Sequence, residues 1–405
     1  MKRLYVSIFF FLGLVSACKK SNPTDLDKTQ FVLRPQHSIP WPSLAATPWP
    51  MARQNPQATG RSPYPGPTNG RVKTIIPIGT EITDPAIGPD SVFYLVSDTC
   101  LYAITYSGNI QWRVAITGNG NENPPILASN GLIYVGSDQG VMNAFHRDGT
   151  LAWKTTLNGS IYMKACGIGL DGTIYVSCAG MLYALDASGN VKWQVNAPAG
   201  AFSSGSDVTI SFAPDGSVFY VPGTTSLQSL YVINPEGSIV RTDSLGGIVS
   251  GAVSVDVDGN VFVFAGHDLV SVSPTGLIRW RIKDVGSNWD LTIDPNGNIA
   301  YLSNSYLYSV DNTGQERWRV FVDNGDYDTH LVCDAFGTIY AETSPGGSPP
   351  SYNVYAISST GSVLWKMSVS AYIKVGGPSL SGNGYLLLPQ SGLIADAPKQ
   401  MYVIE

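Results

Sequence analysis

The stretch Met181–Val195, MLYALDASGNVKWQV, decides the fold because the chain writes it more than once. Close copies are CLYAITYSGNIQWRV at Cys100–Val114 and NVYAISSTGSVLWKM at Asn353–Met367. Taking Gly189 as an anchor, equivalent glycines are Gly108, Gly149, Gly237, Gly276, Gly314 and Gly361, spaced 38 to 48 residues apart. Four residues after each anchor stand Trp112, Trp153, Trp193, Arg241, Trp280, Trp318 and Trp365, which take six of the 9 Trp. Six residues before it Tyr recurs, as Tyr102, Tyr183, Tyr231, Tyr308 and Tyr355. Self-similarity at one period marks a repeat architecture.

Upstream of each anchor lies a turn and an apolar run: DGTIYV (171–176), DGSVFY (215–220), DGNVFV (258–263) and NGNIAY (296–301). Asp-Gly and Asn-Gly between apolar runs signal hairpins, because glycine reaches φ > 0 without a Cβ clash. After the anchor, Val191, Trp193 and Val195 alternate with Asn190, Lys192 and Gln194, and Ile278, Trp280 and Ile282 with Arg279 and Arg281. Alternation of period two predicts a half-buried antiparallel strand. Each unit is then about four short strands that cannot bury both faces alone and must pack on neighbours. Four strands at a period near 40 predict the blade of a β-propeller.

The last unit is incomplete. NGYLLLP (383–389) and QMYVIE (400–405) supply its middle, and NGRVKTIIPI, Asn69–Ile78, supplies its outer strand, with Gly70 as anchor and Val72, Thr74 and Ile76 as the buried face. The expected fold is all-β: an eight-bladed propeller whose last blade is closed by the N-terminal strand, which removes an open edge.

Only 13% of the residues are charged, and the net charge is −6. That balance excludes a nucleic-acid partner, since phosphate binding needs clustered Lys and Arg. Lys2 and Arg3 precede an apolar run, Leu4–Val15, too short to span a bilayer. Val15-Ser16-Ala17-Cys18 then resembles the lipobox of bacterial lipoproteins. The resemblance implies cleavage of residues 1–17 as a signal peptide, acylation of Cys18, and stable membrane anchoring through several chains. Residues 18–48 are polar and Pro-rich and read as a tether; the propeller is expected over 49–405. Cys166 and Cys178 flank one expected hairpin, either as a disulfide or as two buried thiols.

After each repeat Trp stands Arg113, Lys154, Gln194, Arg281, Arg319 or Lys366, where a WD40 repeat would place Asp; Trp289-Asp290 is out of register. The pattern DGxIYV…LYALDxxGxxxW resembles the PQQ-like repeat of quinoprotein-type propellers, and WPMARQNPQATGRSPY, Trp49–Tyr64, is similar to their usual lead-in. One branch of that resemblance implies PQQ and calcium, with an adjacent Cys pair against the cofactor. No two of the 5 Cys are adjacent here, so neither PQQ nor calcium is expected and the chain reads as a non-enzyme. The other branch comprises lipid-anchored eight-bladed propellers such as the propeller lipoprotein of the outer-membrane β-barrel assembly machinery. It implies a protein-interaction scaffold at the bacterial cell envelope, in the outer membrane. The alternatives are a carbohydrate- or small-ligand-binding surface lipoprotein and a PQQ-dependent dehydrogenase.

No catalytic constellation stands out. His37, His146, His267 and His330 show no metal-ligand spacing. DVDGN, Asp256–Asn260, lacks the sixth-position Gly and twelfth-position Glu of a calcium loop and reads as a hairpin turn. The loops from each outer strand to the next innermost strand do vary. They hold Asp84, Glu122, Lys164, Asp207, Trp289, Asp290, Tyr327, Asp328, His330, Tyr372 and Lys374 and should ring one mouth of the channel. SNWDLT and NGDYDTH occupy equivalent places in adjacent blades, so Trp289, Asp290, Tyr327, Asp328 and His330 are the candidate ligand-binding residues. Rigid rings beside carboxylates suit recognition, and His titrates near neutral pH.

Overall fold

The computed structural model describes residues 36–79, 82–89, 91–120, 123–161, 165–196, 210–222, 229–286, 290–323, 330–343, 351–370, 376–390 and 399–405. Within them lie eight four-stranded antiparallel sheets, one per blade. Blade 3 shows the pattern: Cys166–Ile168 innermost, then Ile174–Cys178, Met181–Leu185 and the outer strand Val191–Asn196. In blade 8 the order is Ser379–Leu380, Leu386–Gln390, Gln400–Ile404 and then Val72–Pro77 from the front of the chain. The expected closure is present. Thr74 pairs with Val403 and Ile76 with Met401, while Arg71 Nε and Lys73 Nζ donate to Glu405 at 3.0 and 3.1 Å. Those hydrogen bonds, Arg71 first, hold the Glu405 carboxyl below its usual range.

The core lies between blades as much as within them. One buried cluster runs from Ile126 and Tyr134 of blade 2 through Ile174 and Val176 of blade 3 to Phe212 and Tyr220 of blade 4. The seams follow a rule. Trp193 Nε1 donates across to Pro235 O of blade 4 at 2.9 Å. The same bond joins Trp112 to Arg147 O, Trp153 to Ala187 O, Trp280 to Asn312 O, Trp318 to Ser359 O and Trp365 to Pro67 O. Each indole rests on the anchor glycine of the next blade. Gly237 sits at φ +88°, and a Cβ there would lie 2.6 Å from Trp193 Cδ2. The anchor is therefore glycine for two reasons, the left-handed turn and the ring pressed against it. Blade 4 lacks the Trp, yet Arg241 Nη1 donates to Pro274 O and its chain lies against Gly276. In five blades the indole also meets an aromatic of its own second strand, as in Tyr175–Trp193 with centroids 5.7 Å apart.

The strict alternation expected of the outer strand is broken. Leu185 faces Val191 but Ala184 faces Trp193, so Lys192 is an extra residue in a bulge. The same shift recurs in every blade, between Val72 and Thr74 in blade 8. A bulge re-aims the side chains before it. Val191 is consequently 46% exposed and Ile278 39%, while Trp193 and Val195 are half-buried. The repeat Trp are seam residues, not wholly buried ones.

Cys166 and Cys178 are free thiols on adjacent strands; Cys166 faces Val176, two residues from Cys178. Burial pushes their thiols up, to about 12 and about 11. In DVDGN, Asp256 Oδ1 accepts from Asp258 N at 3.0 Å and Asn260 N at 2.8 Å, closing a hairpin turn.

Trp193→Phe keeps most of the ring and loses the bond to Pro235 O, so it should cost about 1 kcal/mol. Trp193→Ala should cost about 3 kcal/mol, the low end for a large aromatic because the ring is half-buried. Equal losses in chemical denaturation would show that the carbonyl bond carries the seam alone. Deleting residues 69–78 should strip blade 8 of its outer strand and Trp365 of its partner; a deletion mutant that melts like the parent would contradict ring closure.

Candidate functional site

The lead-in WPMARQNPQATG, Trp49–Gly60, is rich in Pro and Gly and cannot continue a sheet ladder of its own. It places its carbonyls on the innermost strands instead. Trp49 O accepts from Ile87 N, Pro50 O from Leu127 N, Pro56 O from Phe212 N, Gln57 O from Val255 N, Thr59 O from Ile293 N and Gly60 O from Cys333 N, all within 2.6–3.0 Å. Each donor is the last residue of its innermost strand. An innermost strand is an edge whose channel-side N–H groups lack a ladder partner, and the lead-in supplies one. Residues before Trp49 join in. Trp41 Nε1 donates to Ile168 O at 2.8 Å, and Ala45 N to Leu127 O at 2.9 Å. Residues 36–48, read from sequence as the end of the tether, thus lie against the blades, with Trp41 and Ala45 buried.

These contacts gather where the Asp-Gly turns lie, hereafter the turn face. The segment is strained there: Arg53, Gln54 and Ala58 have φ of 59°, 74° and 51°. Such conformations cost about 1–3 kcal/mol each and persist where the surroundings over-determine them. The turn at Arg53 lays its guanidinium over Gly60 and aims it at the first residues of two innermost strands. There Nη1 donates to Asp290 Oδ2 at 2.6 Å and to Leu331 O at 2.8 Å, and Nη2 donates to Leu291 O. Leu291 and Leu331 open the innermost strands of blades 6 and 7. Asp290 Oδ2 also accepts from Leu331 N at 3.2 Å and lies 3.4 Å from His330 Nδ1. Both members of the Arg53–Asp290 pair are buried.

Of the five candidate residues, Asp290 and His330 do come together at this mouth. Trp289, Tyr327 and Asp328 lie outside the described residues, as do Cys18, Glu122, Lys164, Asp207, Tyr372 and Lys374. Asp290 turns inward to Arg53, and His330, mostly buried, stands at its rim side. Asp84, a described carboxylate of the loop into blade 1, is buried and accepts from Gly377 N at 2.6 Å, joining blade 1 to blade 8. Among the described residues no cluster of three or more His, Cys, Asp or Glu could hold a metal ion. The sequence reading placed Arg53 in the lead-in without a role. A guanidinium that binds backbone carbonyls leaves no mark on its partners' identities.

Residues 97–233 match the family described as outer membrane protein assembly factor BamB. No curated protein matches the sequence. Among solved structures, BamB from Moraxella catarrhalis superposes with a TM-score of 0.61 at 15% identity, over 82% of this chain and 97% of that one. A europium-containing methanol dehydrogenase gives 0.66 at 13%, over 89% and 98%. Virginiamycin B lyase from Staphylococcus aureus gives 0.50 at 11%, over 66% and 95%. At such identities the likeness establishes the fold. The propeller is similar in architecture to BamB and to PQQ-type dehydrogenases alike, and enzyme status does not follow from it.

Asp290→Ala would leave the Arg53 charge buried without its partner, at a cost of about 3–5 kcal/mol. Arg53→Ala with Asp290→Ala should cost less than the two single losses added, because the pair is one unit. Additive losses in urea denaturation would show that the two side chains act separately.

Proposed function

We propose that the chain is a non-catalytic propeller, anchored through Cys18, that serves as a protein-interaction scaffold in the bacterial envelope. The observation that supports this reading is that described groups of the channel are engaged with the chain itself: Asp290 with Arg53, and the ends of six innermost strands with the lead-in. What the fold leaves for recognition is its outside, above all the variable loops at the His330 mouth. The match of residues 97–233 to an outer-membrane assembly factor supports the same reading. Trp289, Tyr327, Asp328 and His330 form the docking surface in this proposal, and Asp290 holds that rim in place.

PQQ and calcium have no part in the proposed function. Purified protein supplied with both should show no dye-linked oxidation of alcohols or sugars above a heat-killed control, and sustained turnover would return the dehydrogenase reading to first place. For the scaffold itself, a photo-crosslinker at position 330 in cells should capture one discrete envelope protein, while the same probe at Asp215 on the turn face should not. Trp289→Ala with Tyr327→Ala should abolish that adduct and leave the melting temperature nearly unchanged. Loss of the adduct only through Asp215-side substitutions would put the docking surface on the wrong face. Cys18→Ala should release the protein from washed membranes; its retention there would sink the anchor.

A further inference from the structure

The turns between innermost and second strands carry Asp or Asn before Gly: Asn130-Gly131, Asp171-Gly172, Asp215-Gly216, Asp258-Gly259, Asn296-Gly297 and Asn383-Gly384. Blade 7 departs from this with Phe336-Gly337. The turn does not require the ring. It is closed, like those of blades 5 and 6, by an Asp side chain, with Asp334 Oδ1 accepting from Phe336 N at 2.9 Å and Thr338 N at 2.8 Å. The Phe336 ring projects outward, 75% exposed, more than any other large hydrophobic side chain among the described residues. Tyr64, 39% exposed, is bound to the same turn, its carbonyl accepting from Ala335 N at 3.1 Å. Val363 and Leu364, at the turn-face end of the outer strand of blade 7, are exposed as well.

The described chain begins beside this patch. Gln36 N donates to Pro295 O at 2.7 Å, and Pro295 Cδ is 3.7 Å from the Cβ position of Gly337. Whatever precedes Gln36 therefore joins the propeller on the turn face, next to Phe336. At about 3.3–3.6 Å per residue, the segment from Cys18 to Gln36 spans at most ~65 Å, so a bilayer holding an acylated Cys18 lies within reach of this face. Aromatic rings on a turn tip, flanked by aliphatic side chains, suit the boundary between headgroups and acyl chains. The exposed charges nearby are mixed, Asp258 of blade 5 and Glu316 and Arg317 of blade 6, which fits a zwitterionic surface better than an anionic one.

We propose that Phe336, with Tyr64 beside it, is a lipid-contacting anchor that seats the turn face of blade 7 on the membrane and holds the His330 mouth away from it. This rests on the lipid-anchored reading above. The test uses the full acylated protein in phosphatidylcholine–phosphatidylethanolamine vesicles, with an environment-sensitive NBD label at Phe336→Cys or, as the opposite-face control, at Asn304→Cys. The unsubstituted protein serves as the labelling blank. The label at 336 should brighten severalfold and be quenched by doxyl lipids, while that at 304 stays in water. A label at 336 that stays wet, or one no different from 304, overturns the proposal; so does one shielded only when envelope proteins are reconstituted alongside. A Cys18 peptide without acyl chains would sink the anchoring reading instead. In that case the soluble Cys18→Ala protein decides: Phe336→Ser should lower its sedimentation with the same vesicles by about tenfold, the weight of one buried aromatic ring. Unchanged or absent sedimentation ends the proposal.

Discussion

At the seams between blades 1 and 4, between 5 and 7, and between 7 and 8, an indole lies over a residue that has no side chain and donates its one N–H to a neighbouring carbonyl. The Trp193–Gly237 contact shows why the two positions must go together: the glycine supplies the left-handed turn and the flat seat, and the ring fills the seat. A propeller has no single core to organise it, so the contact that repeats at the seams is the contact that sets the angle between blades. Arg241 is informative as the exception. It keeps the donor and the long apolar stem, adds an ion pair with Asp243, and still reaches the carbonyl of the next turn. At the seam from blade 8 to blade 1 the seat at Gly108 meets Ile76, a filler without a donor, so the ring is replaced in two different ways.

A ring of sheets also leaves two edges on every blade, and the chain treats them differently. The inner edges are capped from within by the carbonyls of Trp49–Gly60. On the outside, the residue after each Trp is long and polar, most often Arg or Lys, and it stands on the exposed side of the edge strand. Charge at that position discourages another strand from adding on. Several of these cations are also held in place: Arg281 pairs with Asp268 at 3.0 Å, and Lys366 pairs with Asp323 at 2.7 Å and lies over the Tyr355 ring.

The blade, the repeat and the closure were legible because side-chain identity carries them: Gly for φ, Trp for the seam, alternation for the faces. What rests on backbone hydrogen bonding was not. The strand bulge that exposes Val191 depends on register, and Lys192 gives no sign that it is the extra residue. The ordered run from Gln36 to Pro48 reads as a tether because its contacts are carbonyls and amides, with Trp41 as its main buried ring. Arg53 escaped for the same reason, since two of its acceptors are the carbonyls of Leu291 and Leu331. At the mouth, the spacing of SNWDLT and NGDYDTH did bring Asp290 and His330 together. It could not tell that Asp290 would turn inward to meet a cation of the lead-in.

The two faces differ because their connections obey different constraints. On the turn face, most turns pair an Asp or Asn side chain that accepts from the backbone it has just left with a Gly at positive φ, while blade 1 turns through Ser91 at φ 61° and blade 8 closes on Ser381. The same face receives the lead-in, which spans most of the blades. Variation there is costly, and Phe336 stands out for that reason. The connections of the other face owe nothing to such closure, so they differ in length and content from blade to blade. A propeller built this way can vary its loop mouth without disturbing the seams. The Arg53–Asp290 pair ties that rim to the lead-in, so the start of the loops in blades 6 and 7 is fixed by the same segment that caps the innermost strands.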